Sequence, residues 1–306
     1  MEEALKSCKL CPRSCNANRI SGKSGYCQAG AGYEIASIIL HAGEEPAISG
    51  KNGICNVFFS HCNLQCVYCQ NFQISQKGYK IKTIERSLDE VLVSIKSILD
   101  KGVENLGFVS PSHMIPQMKA IILALNEDRY FPIIVYNTNG YDSVDSLRTL
   151  EELVDVYLPD FKYSDPQLAR KYSDAENYPE IAIKAIREMY RQKGNVVQVN
   201  ENGIAEKGLI IRHLVLPGAV QNSINVLRML AEEVSTRITI SLMSQYHPIQ
   251  NVANTKPLNR ILSQEEYQEV VEEMEKLGFS KGWVQDQESA DFYYPDFESE
   301  TPFLTP

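Results

Sequence analysis

Asn56-Val-Phe-Phe-Ser-His-Cys62-Asn-Leu-Gln-Cys66-Val-Tyr-Cys69 joins an apolar run to three cysteines, spaced by three and then by two residues. The apolar half reads as a strand covered on both faces, the pattern of parallel sheets. The cysteines then sit in a loop at its C-terminal end, where active sites of α/β barrels are found. A cubane iron–sulfur cluster asks for four ligands, and thiolates supply them. Three local cysteines hold three irons and leave the fourth open, as a catalytic zinc keeps one position open while a structural zinc is closed. The competing reading is a zinc site, with His61 beside the first cysteine as the missing ligand.

The surrounding chain repeats the strand. Six β-rich runs, Ile54–Ser60, Asn105–Ser110, Ile133–Thr138, Val154–Asp160, Leu209–Leu216 and Arg237–Ser244, alternate with helical segments. The helical segments, Leu88–Lys101, Ile115–Asn126, Ser143–Leu153, Ile181–Gln192, Ser223–Val234 and Gln264–Leu277, repeat apolar residues at spacings of three and four. Ser263 and Glu266 make a capping box and Gly278 a stop for the last of them. Such alternation predicts parallel βαβ units with right-handed crossovers, in an open doubly wound sheet or an incomplete barrel. Val196–Arg212 reads as a hairpin around Asn200-Glu-Asn-Gly203. The expected organisation is a small metal-stapled extension over 1–50, the βαβ body over 51–282, and an aromatic, acidic wrapping tail over 283–306.

The 306-residue chain is 43% hydrophobic and 23% charged, the balance of a globular protein. No stretch of about eighteen apolar residues predicts a membrane span. The start, Met1-Glu-Glu-Ala-Leu-Lys6, has no secretory pattern, so a cytoplasmic location is expected. A net charge of −9 without a basic patch argues against nucleic acid or an anionic membrane as partner. The eight cysteines, Cys8, Cys11, Cys15, Cys27, Cys55, Cys62, Cys66 and Cys69, all fall in the first quarter. That clustering favours thiolate ligands over a disulfide framework. Cys8, Cys11, Cys15 and Cys27 make a closed set for structural zinc or a second iron–sulfur cluster. Cys55 is left as a buried strand thiol.

The three-cysteine spacing, with an aromatic before the third, resembles the signature of the radical S-adenosylmethionine (SAM) superfamily. Gly43-Glu-Glu-Pro46, Tyr68-Cys-Gln-Asn71, Tyr136-Asn-Thr-Asn-Gly140, Leu158-Pro-Asp-Phe-Lys162, Leu216-Pro-Gly218 and Gln245-Tyr-His247 are similar to the branch around pyruvate formate-lyase activating enzyme. The resemblance implies a partial six-unit (β/α) barrel, a 4Fe–4S cluster on Cys62, Cys66 and Cys69, and bound SAM. It implies reductive cleavage of SAM to a 5′-deoxyadenosyl radical, directed at a glycyl-radical enzyme, a small molecule or another peptide. A flavodoxin or ferredoxin would supply the electron. A non-catalytic electron-transfer or docking protein is the reading from another class.

The same resemblance assigns cofactor contacts. Tyr68 and Gln70 flank the third cysteine and would pack on the adenine. Ser110, in Ser110-Pro-Ser-His113, stands where the activating enzymes carry a Gly-Gly-Glu-like segment for the methionine amino group. Asn137 and Thr138 stand where those enzymes have Asp-Thr. Asp160 and Lys162 match a pair near the cofactor carboxylate, and Lys162 reads either as its counter-charge or as a rim salt bridge. Arg212 and His247 match residues around the cofactor. His113 reads equally as a loop histidine or a catalytic one.

Overall fold

The computed structural model describes residues 2–79, 85–286, 295–299 and 302–303. Among them are ten strands: β1 (Tyr33–His41), β2 (Ile54–Phe59), β3 (Glu85–Arg86), β4 (Asn105–Val109), β5 (Ile133–Thr138), β6 (Val156–Pro159), β7 (Gln198–Val199), β8 (Ala205–Leu214), β9 (Thr239–Met243) and β10 (Gly282–Val284). They form one sheet in the order β10-β9-β8-β6-β5-β4-β2-β1-β3, with β7 paired to β8. The pairings from β2 through β4, β5, β6, β8 and β9 to β10 are all parallel. Their spatial order is their chain order. A doubly wound sheet reverses direction at a switch point, whereas a barrel does not. With right-handed crossovers the helices then share one face and the sheet curls around the other.

The six expected strands and six expected helices are present with shifted ends. Ser143–Leu153 shrinks to Val144–Arg148, and a further helix, Pro166–Ser173, precedes Tyr178–Lys193. Ser263 and Glu266 form the reciprocal cap. The sheet runs across both expected boundaries. β1, inside the 1–50 segment, pairs antiparallel with β2, and β10 carries two residues of the 283–306 segment. Of that segment, Phe297 and Phe303 pack with Phe58, and Phe303 also meets His41. Most of the remainder lies outside the described residues.

Two apolar layers follow from the curl. The larger one lies between the sheet and its helices, with Val57, Phe108, Tyr136, Tyr157, Ile211 and Leu242 facing outward. The smaller lies on the concave side: Ile54, Val135, Val156, Leu158 and Ile210 close around Ile48 and Ala47. Those last two belong to the single-turn helix Pro46–Ser49, which precedes β2 and therefore enters from the N-terminal end of the strands. Asn105 Nδ2 donates to the Ile48 carbonyl oxygen at 2.6 Å and holds the turn there. The bottom of the barrel is thus filled, and the open end is the one bearing the cysteines.

Candidate functional site

Above the apolar plug lies a cavity of about 620 Å³. Cys62, Cys66 and Cys69 line one side of it, together with Tyr68 and Gln70. The loop leaves β2 through His61, whose φ is 70° and whose ring pairs with Glu34 on β1 at 3.4 Å. That pairing gives His61 a partner other than the zinc of the competing reading.

Each thiol has a donor waiting for an anionic sulfur. Cys62 Sγ accepts from Asn139 Nδ2 at 3.3 Å and from the Leu64 amide at 3.4 Å. Cys66 Sγ accepts from Ser173 Oγ at 3.0 Å, and Cys69 Sγ from Ser75 Oγ at 3.3 Å. Burial pushes all three thiols up, Cys66 to about 11, and neighbouring thiols add to the shifts of Cys62 and Cys66. Such thiols give up protons only to a strong cation, which is what metal ligation supplies. Among the described residues no three His, Cys, Asp or Glu side chains could together hold a single metal ion. A cubane does not ask for that, because each thiolate binds a different iron. The donor set and its hydrogen bonds fit a cluster with one open iron.

Opposite the thiols is a charged floor. Lys162 Nζ meets Asp160 Oδ2 at 2.6 Å, and Arg212 Nε meets Asp160 Oδ1 at 2.8 Å. Arg212 also contacts Glu44 Oε2 at 3.2 Å and Asn137 Oδ1 at 2.6 Å. Burial alone would raise Asp160, yet the Arg212 and Lys162 cations hold its carboxyl below the usual range. Burial likewise opposes the Lys162 charge, but Asp160 keeps that ammonium above its ordinary value. The loops carrying this floor are locked together at Gly140. Its φ is +79°, and a side chain there would place Cβ 2.2 Å from the Asp160 carbonyl oxygen.

The structure brings Tyr68, Gln70, Ser110, Asn137, Asp160, Lys162 and Arg212 to this one cavity. Gln70 Nε2 donates to the Gln245 carbonyl oxygen at 3.1 Å, tying the cysteine loop to the end of β9. Thr138 and His247 are not among the lining residues. Thr138 follows Asn137 on β5 and so faces the other side of the sheet. There it donates to Asp142 at 2.6 Å and meets Ser112. His113 is buried against the Ser60 carbonyl oxygen at 2.9 Å, with its pKa pushed down to about 3 by burial. It braces the end of β2, which is the loop reading. Lys162 forms the buried ion pair that the sequence left as an alternative.

Three residues that the sequence reading gave no role complete the site. Glu44 and Glu45 line the floor, and Asn139 touches Cys62. Glu44 and Glu45 were quoted only as part of a motif, and Asn139 lay inside another. Nothing in their local pattern tells which strand end they will face.

The N-terminal cysteines form a lobe behind the cysteine loop. Burial pushes the Cys11 thiol up to about 12 and also raises Cys27, and the neighbouring Cys8 and Cys15 add to both shifts. A side chain at Gly25 would place Cβ 2.3 Å from Cys15 Sγ. Arg13, between Cys11 and Cys15, donates to the Asn63 carbonyl oxygen at 3.0 Å and stacks on Tyr26 at 3.6 Å. Buried Arg19 donates to the His113 carbonyl oxygen at 2.6 Å. The lobe therefore grips both the cysteine loop and the next strand end.

Residues 56–206 match the radical SAM superfamily. An uncharacterized protein of Methanocaldococcus jannaschii is 29% identical over 278 residues, 89% of this chain and 75% of its own. Among solved structures, HydG, a maturase of the FeFe-hydrogenase, superposes with a TM-score of 0.51 at 11% identity. The match covers 74% of this chain and only 50% of that one, and it bears on the fold alone. A domain of pyruvate-formate lyase-activating enzyme from Bacteroides vulgatus gives a TM-score of 0.40 at 14% identity, over 56% of this chain and 93% of that one. Mixed α/β architecture with chain-ordered parallel strands agrees with the HydG superposition. The matched residues 56–206 carry the three-cysteine loop and the strand ends facing it, so the likeness to the radical SAM superfamily falls on the candidate site.

Proposed function

We propose that this chain is a radical SAM enzyme that reductively cleaves S-adenosylmethionine at a 4Fe–4S cluster held by Cys62, Cys66 and Cys69. The observation that carries the reading is the three buried thiols, each with a hydrogen-bond donor, at the open end of a plugged barrel. The cluster and cofactor, when bound, supply the electron and the radical chemistry. The chain's own residues orient and shield. Asp160 and Lys162 present a fixed pair of charges, Gln70 and Tyr68 hold the loop, and the Ile48 plug keeps water from entering below. Anaerobic reconstitution and reduction, followed by measurement of methionine and 5′-deoxyadenosine, tests the reading. A loaded, reduced protein that forms neither product overturns it.

The proposed hydrogen donor is a group that reaches the cavity between the thiols and the charged floor. A volume of about 620 Å³ has room for a cofactor and a small reacting group. Activation of a glycyl-radical enzyme, by insertion of one glycine, is supported by the strand-end motifs Asn137-Thr-Asn-Gly140 and Asp160-Phe-Lys162. A small molecule bound on the floor is supported by the plug, which makes a closed end. Deuterium transfer into 5′-deoxyadenosine from a glycine-labelled partner, against transfer from a labelled small molecule, separates the two. A flavodoxin or ferredoxin electron donor and a reducing cytosol complete the proposal. Among the described residues no helix is long and apolar enough to cross a membrane.

We also propose that Cys8, Cys11, Cys15 and Cys27 bind a second metal centre, zinc or a fully ligated cluster. The action of Cys8 and Cys15 on both Cys11 and Cys27 supports a shared site, although among the described residues the four thiols are not gathered around a single ion. Arg13 links that lobe to Asn63, the neighbour of Cys62, so the centre would either staple the loop or pass it electrons.

A further inference from the structure

The charges of the cavity floor do not balance, and the imbalance has a location. On the floor two cations, Lys162 and Arg212, stand with three carboxyls, Asp160, Glu44 and Glu45, while a fourth carboxyl, Asp286, lines the cavity just after β10. Asp160 takes up Lys162 and one edge of Arg212. Glu44 takes another edge of Arg212 through Oε2, while its Oε1 accepts from Asn56 Nδ2 at 3.0 Å and Asn137 Nδ2 at 3.2 Å. Glu45 is left. It is 8% exposed, it lines the cavity, and its Oε2 has no hydrogen-bond partner. A buried carboxyl oxygen without a partner carries the full cost of desolvation. Burial and the Glu44 charge raise the carboxyl's pKa, whereas Arg212 and Ser241 lower it; the first two prevail. The position is held in spite of that cost by Pro46 and the Ile48 plug that follow it.

Glu45 also sits at a particular end of the barrel. The cysteine loop leaves the C-terminal end of β2, whereas Glu45 enters ahead of its N-terminal end. β2 has six residues, a length of roughly 20 Å. A cofactor bound at the thiols reaches Lys162 and Asp160, whose charges act on Cys66 and Cys69, and leaves Glu45 to the molecule that gives up hydrogen.

We propose that Glu45 is the substrate-recognising residue of this cavity and that it receives a cationic nitrogen, so that the substrate class is a small primary amine or amidine. This rests on the reading of the cavity as the reaction chamber. A cationic donor would satisfy Oε2 and neutralise the third carboxyl in one contact. Neutral hydroxyl compounds of the same shape satisfy the oxygen but not the charge.

The test uses the full chain, purified anaerobically with its metal, and two probes of equal size, n-butylamine and 1-butanol. Calorimetric titration at neutral pH is expected to show the amine binding at least about tenfold more tightly. The preference should vanish in Glu45→Gln and survive, weakened, in Glu45→Asp. Equal binding of the two probes, no binding of the amine, or a preference that persists in Glu45→Gln overturns the assignment. If Glu45→Gln does not fold, the wild-type ratio and the Glu45→Asp ratio still decide. Amine preference in a protein that cleaves no SAM would sink the radical reading alone. Cleavage without amine preference would sink this assignment alone.

Discussion

The chain keeps two sets of cysteines, and they differ in what surrounds them. Cys62, Cys66 and Cys69 line a cavity, and each sulfur accepts a hydrogen bond from a neighbouring donor. Cys8, Cys11, Cys15 and Cys27 stand outside that cavity, three of them buried and Cys15 exposed, with Cys15 Sγ where a side chain at Gly25 would fall. Three thiols opening on a cavity can serve chemistry; a set away from it has no such access. Spacing alone makes the two motifs look alike. Access to a cavity separates them.

The sharpest way to break that comparison is to remove ligands from each set. Cys62→Ala, Cys66→Ala or Cys69→Ala should reduce SAM cleavage to background, because each leaves an iron without its thiolate. Replacing all four N-terminal cysteines by Ala should instead remove a separate metal and leave the barrel cluster's spectrum in place. About one zinc beside four irons in the intact protein would mark a staple, and about eight irons a second cubane. Unchanged metal content in the quadruple variant would show that these cysteines are not ligands.

Lys162→Met should weaken SAM binding by about 1–3 kcal/mol, the worth of a charge-assisted hydrogen bond. Lys162 is half of a buried pair, and its loss leaves Asp160 with Arg212 only. Both affinity and melting temperature are expected to fall. Affinity that holds while melting falls would make Lys162 a rim residue.

A finer comparison lies within the three-cysteine set. Ser173→Ala removes the hydroxyl that donates to Cys66 Sγ. Hydrogen bonds to cluster sulfurs help set reduction potential. Losing one worth ~1 kcal/mol should lower the potential on the order of 40 mV for one electron. A redox titration that returns the wild-type value would show that the contact does not reach the cluster.

The smallest expected effect is acid sensitivity. Burial depresses His113 to about 3 and His213 to about 4. Unfolded, both titrate near 6.5. The stability they protect is therefore present above about pH 6.5 and is lost as pH falls toward their folded values. Melting temperature should decline from pH 7 to pH 5, and His213→Gln should flatten that decline. An identical slope in the variant would place the acid sensitivity elsewhere.

Much of this molecule was legible in order of chemical loudness. Apolar runs such as Ile-Ile-Val-Tyr at the start of Ile133–Thr138 announced their strands, because burial on both faces leaves few polar residues to blur the pattern. β1 was missed: its residues are mostly half-buried at the sheet margin, so its apolar signal is weak. The plug Pro46–Ser49 was missed because one helical turn has no period to read.

The cysteine spacing by itself singled out Cys62, Cys66 and Cys69, which the structure brings to one cavity, since coordination chemistry is written in residue type and short separation. Local sequence also set the caps and the alternation of strand and helix. It did not choose between an open sheet and a barrel; the unreversed strand order did. Nor did it say that Glu44 and Glu45, which precede β2, would share a floor with Arg212 from β8, or that Thr138 would turn away while Asn137 turned in. Those facts depend on contacts between residues far apart in the chain, and only the curl of the sheet brings them together.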